Sequence, residues 1–179
     1  ETGAVTQAYM LQRYQNVCSS RGEFPIKFNG GLWTSIPRGG SYDFRKWGDG
    51  FWWQNQRMVY WPMYASGDFE LMKPFFDLYQ RALGLNIHKT KTYYDHPGAH
   101  FAETVYWWGS AASSHYGWTP FEERECPEEE CTYTRYYFQN NLERTLMMHE
   151  YYLYTQNEVF AREVLLVHAE QTTLFYDHH

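Results

Sequence analysis

Hydrophobic and polar positions along the chain alternate mainly with the period of a helix. Residues 3–20 read as a first helix, with Tyr14, Val17 and Cys18 at helical spacing, Arg13 and Arg21 on a wet side and Gly22 as a stop. Two short β-prone runs follow, 24–28 and 32–34, and Asn29-Gly30-Gly31 between them predicts a small hairpin. Helical spacing returns over 51–65, where Pro62 should bend the helix or end its regular part and Gly67 stops it. Asp68 then suits the N-cap of a second helix to about residue 83, with Leu71, Phe75, Leu78, Tyr79 and Ala82 as its apolar face and Gly84 as the stop. The short connection predicts an antiparallel αα-hairpin. Residues 86–99 are polar and turn-rich, and a helix is expected to start near His100 and to be released at Gly109. Residues 113–132, with Pro120, Pro127 and Glu128-Glu129-Glu130, read as a loop excursion. A long amphipathic helix is expected over 133–154, and Asn157 can cap another over 158–176. The expected fold is all-α, one domain over 1–179 built of αα-hairpins. Its long aromatic loops favour a solenoid or toroid over a compact bundle.

Composition changes this picture in one respect. The chain has 179 residues, 21% of them aromatic, yet a mean hydropathy of -0.68. Tyr and Trp combine an apolar body with a polar tip, so rings in such number can line a wet cleft as well as a core. The net charge of -6 and the pI near 5.7 argue against a nucleic-acid partner. No apolar run approaches the roughly 20 residues that span a bilayer, so no membrane partner is expected. A chain that begins at Glu1 without a leader pattern is expected to be processed or excised from a longer protein. Cys126 and Cys131 could close a small disulfide or stay reduced, and zinc would need two further soft ligands.

The candidate chemistry centres on one stretch, Trp47-Gly48-Asp49-Gly50-Phe51-Trp52-Trp53-Gln54-Asn55-Gln56-Arg57-Met58-Val59-Tyr60-Trp61-Pro62-Met63, which mixes rings with uncharged amides. Flat rings cover the apolar faces of a pyranose, and amide and guanidinium groups fix its hydroxyls. A buried aromatic helix is the alternative reading. Glu103 is the one carboxylate in the aromatic run 101–108, where burial would raise its pKa and suit it to donate a proton. A carboxylate paired with an arginine such as Arg57 is the plainer account. His96, His100 and Glu103 could also form a two-His, one-carboxylate site, although Pro97 and Gly98 separate the histidines. Neither metal nor cofactor is expected.

Three stretches together carry a resemblance: Pro25-Ile26-Lys27-Phe28-Asn29-Gly30, Trp52-Trp53-Gln54-Asn55-Gln56-Arg57-Met58-Val59-Tyr60-Trp61-Pro62, and Gly98-Ala99-His100-Phe101-Ala102-Glu103-Thr104. They resemble the bacterial six-hairpin glycosidases, the (α/α)6 toroids, and in particular uncharacterised relatives of the family 95 glycoside hydrolases. Family 95 proper has Asn-x-Asn before its Tyr-Trp-Pro. Here Asn55 matches the second asparagine and Trp53 stands at the first.

The resemblance implies an inverting exo-glycosidase, fucosidase- or galactosidase-like, secreted or periplasmic, with Glu103 as the general acid and Asn55 positioning water. Trp52, Trp53, Trp61, Trp107 and Trp108 would form the sugar platform, with Gln54, Arg57, His100 and Asp49 as further contacts. The family's aspartic base comes late in the toroid, and the five or six expected helices are about half of the twelve that a toroid requires, so the chain would be about half a barrel, completed by further chain or another copy. Asp49, Asp95 and Asp177 are possible substitutes for that base. The rival readings are a non-catalytic glycan-binding module and a structural helical-hairpin module.

Overall fold

A computed structural model of the chain describes residues 2–27, 50–110, 121–123 and 132–179. The described residues are 74% helical with one two-stranded sheet, an all-α architecture. The hairpin expected around Asn29-Gly30-Gly31, as well as Asp49, Cys126 and Cys131, lie outside the described residues.

Helix α1 (Thr2–Ser19) forms as expected, but its inward residue is Asn16, while Tyr14 is exposed. Arg13 ties it to the body through a two-pronged bond to Asp68 at 2.6 and 2.9 Å. Asp68 therefore does not cap the next helix; it accepts from Arg13 and from Ser66 Oγ instead. Residues 25–27 dock on the core, where Ile26 donates its N–H to Tyr60 and accepts from Gln56 Nε2.

Strand β1 (Phe51–Trp52) leads directly into helix α2 (Trp53–Ser66), which keeps Pro62 on an exposed face and ends at Gly67 in the left-handed region. A 3-10 turn (Phe69–Met72) precedes helix α3 (Lys73–Tyr94), whose second residue is Pro74. A proline in the first helical turn gives up an N–H that would lack an intrahelical partner anyway. The rings of α2 and α3 pair in an antiparallel sense: Trp53 meets Tyr79 edge-on at 5.6 Å, and Tyr60 stacks on Phe75 at 4.3 Å.

Gly84 does not stop α3. It sits in open space within the helix, a cost of about 1 kcal/mol, and the helix runs on to Asp95 at φ 58°. The polar residues of 86–94 are helical because several point inward as hydrogen-bond partners. Asn86 Nδ2 donates to Gly109 O at 2.8 Å, and Thr90 Oγ1 accepts from His100 N at 2.9 Å.

The largest correction falls on 98–105. No helix starts near His100; the segment is non-helical and buried, and strand β2 (Thr104–Val105) pairs antiparallel with β1, Phe51 opposite Val105 and Trp52 opposite Thr104. Its peptide groups find partners on every side. Ala99 N donates to Gln171 O, Phe101 N to Asn141 Oδ1 and Glu103 N to Thr134 O, while Phe101 O accepts from Asn140 Nδ2. Buried peptide groups without such partners would be costly.

The helix expected over 133–154 is broken into α4 (Thr132–Arg135) and α5 (Gln139–Thr155). Asn157 caps the following rod as expected, accepting from Val159 N and Phe160 N at 3.1 and 3.0 Å. That rod is continuous through α6 (Glu158–Phe160), a π-helical turn (Ala161–Leu165) and α7 (Leu166–His178). The core joins Trp53, Tyr60, Phe75, Phe76, Tyr79, Phe101, Met147 and Met148. Among the described residues no helix is long and apolar enough to cross a membrane.

Two glycines give opposite predictions. At Gly98 (φ 98°) a Cβ would lie 2.3 Å from the backbone nitrogen of Phe175, so Gly98→Ala should cost at least about 2 kcal/mol. Gly84→Ala adds a methyl in open space within a helix and should stabilise by roughly 0.5–1 kcal/mol. Denaturant unfolding of both variants checks the pair; similar effects would contradict the close approach at Gly98.

Candidate functional site

The first turn of any helix leaves backbone N–H groups without intrahelical partners. At α2 the side chain of the N-cap residue, Trp52, does not cap these groups. Glu103, from the buried segment, takes the role across space. Its carbonyl accepts from Trp53 N at 2.9 Å and its Oε1 from Gln54 N at 2.9 Å. Its Oε2 accepts from Thr104 Oγ1 at 2.5 Å. The residue is 1% exposed. Burial raises the Glu103 pKa, outweighing the hydroxyl of Thr104, the N–H of Gln54 and the charge of Arg57, which all favour the carboxylate.

A second carboxylate, Glu143 of α5, gathers the donors of one ridge of α2. Trp53, Arg57 and Trp61 stand four residues apart and share a helix face. Trp53 Nε1 donates to Glu143 Oε2 at 3.0 Å, Arg57 Nε to Oε1 at 2.8 Å and Trp61 Nε1 to Oε1 at 3.3 Å. Arg57 also donates through Nη1 to Gln54 O. The arginine that could have paired with Glu103 thus has its ion pair with Glu143, both partners being half-buried.

Deeper in, Arg144 is fully enclosed. Nη2 donates to Asn141 Oδ1 at 2.7 Å, and among the described residues Nε and Nη1 have no hydrogen-bond partner and the side chain has no ion pair. Its guanidinium lies 4.0 Å from the ring centre of Phe101 and 4.9 Å from that of Tyr79, so the ring faces carry much of its stabilisation. Burial lowers its pKa to about 10, which still leaves it cationic at neutral pH. His100 donates from Nε2 to Arg135 O at 3.1 Å, which leaves Nδ1 to accept from Asn141 Nδ2 at 3.1 Å. Burial pushes both His100 and His168 down to about 3.

The remaining residues singled out from the sequence divide by location. Trp53 is wholly buried in the core and shows no ring face to solvent; only its indole N–H reaches Glu143. Trp52 and Trp61 are half-buried. Trp107 and Trp108 are exposed on the turn after β2, where Trp108 stacks on Tyr106 at 4.6 Å. Gln54 lies beside Glu103, whereas Asn55 opens into a groove of about 420 Å³ shared with Tyr9, Arg13 and Asn16 of α1. Asp95 is exposed, with its carboxylate on Lys91, and Asp177 is exposed near the end of α7. His96 turns to Pro97 O and His179, so it does not join His100 and Glu103. Among the described residues no group of three or more His, Cys, Asp and Glu side chains is placed to hold a metal. Glu143, Arg144 and the Asn140-Asn141 pair escaped the sequence reading. The signal that could have found Glu143 is the ridge of three donors on α2, which needs an acceptor opposite it.

No family model, curated protein or solved structure matches the chain.

The two buried imidazoles make a pH prediction. Each has a folded-state pKa near 3 against about 6.5 when unfolded. As pH falls, the unfolded chain takes up these protons first, so stability declines from about pH 6.5 towards pH 3, by about 1.4 kcal/mol per pH unit for each histidine. Glu103 has the opposite sign: its raised pKa favours the fold at low pH and that contribution fades as pH rises through its folded-state value. His168→Gln should therefore reduce the slope of unfolding free energy between about pH 6 and pH 4 by about 1.4 kcal/mol per unit. An unchanged slope would show that His168 titrates normally in the fold.

Proposed function

We propose that the protein is a glycoside hydrolase whose αα-hairpins form part of an (α/α)6 toroid, and that it cleaves a terminal sugar by inversion with Glu103 as the proton donor. The observation that carries this reading is the Glu103 carboxyl, almost wholly buried, held at a helix start and shifted towards its protonated form. A general acid must keep its proton until the leaving oxygen develops charge, and a raised pKa serves that need. The exposed rings of Trp107 and Trp108 and the half-buried Trp52 and Trp61 supply apolar faces of the kind sugars stack on. The sugar class, fucose- or galactose-like, follows the sequence resemblance.

A second reading rests on the same residue. With Oε1 on the Gln54 N–H and Oε2 on the Thr104 hydroxyl, Glu103 does what a helix cap does, and the protein would then bind glycans or act as a helical-hairpin module without turning anything over.

Glu103→Gln separates the two, because the amide oxygen can still accept from Gln54 N while the acidic proton is gone. Hydrolysis of a panel of oligosaccharides ending in fucose or galactose should fall by roughly 10²–10⁴-fold, with glycan binding and melting temperature kept. Parent-level turnover in the variant would overturn the assignment.

A further inference from the structure

Glu103 and Glu143 are joined through a short run of bonds. Glu103 Oε1 accepts from the backbone N–H of Gln54, the carbonyl of Gln54 accepts from Arg57 Nη1, and Arg57 Nε donates to Glu143. Both atoms of Gln54 that matter here are main-chain atoms of the first turn of α2. The guanidinium spans the gap between that turn and α5.

We propose that Glu143 is a positioning residue for Glu103, holding the Arg57 guanidinium against α5 and, through it, the turn of α2 on which the Glu103 carboxyl sits. The two indole N–H bonds of Trp53 and Trp61 fix Glu143 from the same ridge, so that its carboxylate is held by three donors of α2. The inference rests on the reading of Glu103 as an acid.

The electrostatic consequence can be worked out from the neighbours of Glu103. Arg57 faces it from α2, Tyr79 from α3, and Glu143 and Arg144 belong to the adjacent α5. From the next residue comes the Thr104 hydroxyl, and from α4 the Thr134 carbonyl, bonded to the Glu103 backbone. His100, earlier in the same segment, is held neutral by burial, and the guanidinium of Arg135 on α4 lies over the Tyr136 ring. Arg57 is the cation in this set that draws Glu103 towards ionisation. Glu143 competes for it. Without Glu143 the guanidinium has a single carboxylate left to satisfy, and the acid would lose its proton at lower pH.

The test is a carbon-13 NMR titration of the intact chain labelled at glutamate carboxyls, with the Glu103 signal assigned by its loss in E103Q. E143Q removes the charge and keeps one acceptor oxygen, which can still serve Arg57 and Trp61 while the Trp53 indole loses its partner. It should move the Glu103 midpoint down by about one pH unit. R57Q should move it up, and in R57Q/E143Q the downward shift should vanish. A midpoint unmoved in folded E143Q overturns the proposal, since a purely structural role would alter the melting temperature and leave the titration alone. Should E143Q not fold by circular dichroism, R57Q decides: an unmoved midpoint there means that Arg57 does not act on Glu103. Because the titration uses no substrate, it stands apart from the turnover of E103Q, whose persistence would end the acid reading by itself.

Discussion

A non-helical segment buried inside a helical protein must find a partner for each peptide group it brings in, and this requirement shapes the molecule. Residues 98–105 cannot satisfy one another as a helix would, and β1 offers only two residues of pairing. The surrounding helices therefore turn polar side chains inward. Asn86 and Thr90 of α3, and Asn140 and Asn141 of α5, are each almost wholly buried. Thr90, Asn140 and Asn141 bond the backbone of the segment, and Asn86 bonds that of the turn following it. Leaving such a buried group unpaired costs about 1–3 kcal/mol, so these amides and hydroxyls hold the fold as firmly as its rings do.

The same segment delivers Glu103 to the start of α2. Helix N-termini favour negative charge, and the Gln54 N–H meets the carboxyl directly. Burial works against that preference and prevails, so the carboxyl lies shifted towards its neutral form beside donors suited to its charged one. Such opposition is what an acid needs if it is to hold a proton at rest and be stabilised after giving it up. Arg144 shows a related compromise a layer deeper. Among the described residues ring faces rather than a carboxylate meet its charge, and the carboxylates of Glu143 and Glu103 serve Arg57 and the helix start.

Much of the helical frame was legible in the sequence because it follows local rules. Gly67 ends α2 in the left-handed conformation that glycine favours, and Asn157 caps the last rod with its own side chain. The departures arise where tertiary partners override local preference. Gly84 reads as a stop, yet the inward partners Asn86 and Thr90 carry the helix past it. The run around Glu103 has rings at helical spacing, but its backbone is claimed by β1, Thr134 and the asparagines of α5. Glu103 itself stood out as a lone carboxylate among rings. Glu143 did not: the four-residue spacing of Trp53, Arg57 and Trp61 calls for an acceptor, but only the packing of α5 beside α2 shows which carboxylate supplies it. Trp53 shows the reverse: its sequence neighbours point to a sugar platform, and packing against Phe75 and Tyr79 places it in the core.

The central claim is that burial holds the Glu103 carboxyl towards its protonated form. The most direct measurement is the infrared carbonyl absorption of protonated carboxylic acid at about pH 5.5, recorded for the parent chain and for E103Q and subtracted. An ordinary glutamic acid is only about 6% protonated there. The account predicts a difference band larger than that fraction, shifted by the Thr104 hydroxyl and the Gln54 N–H. A band at or below the ordinary fraction would show that Glu103 is an ionised helix cap, and the acid role would fall with it.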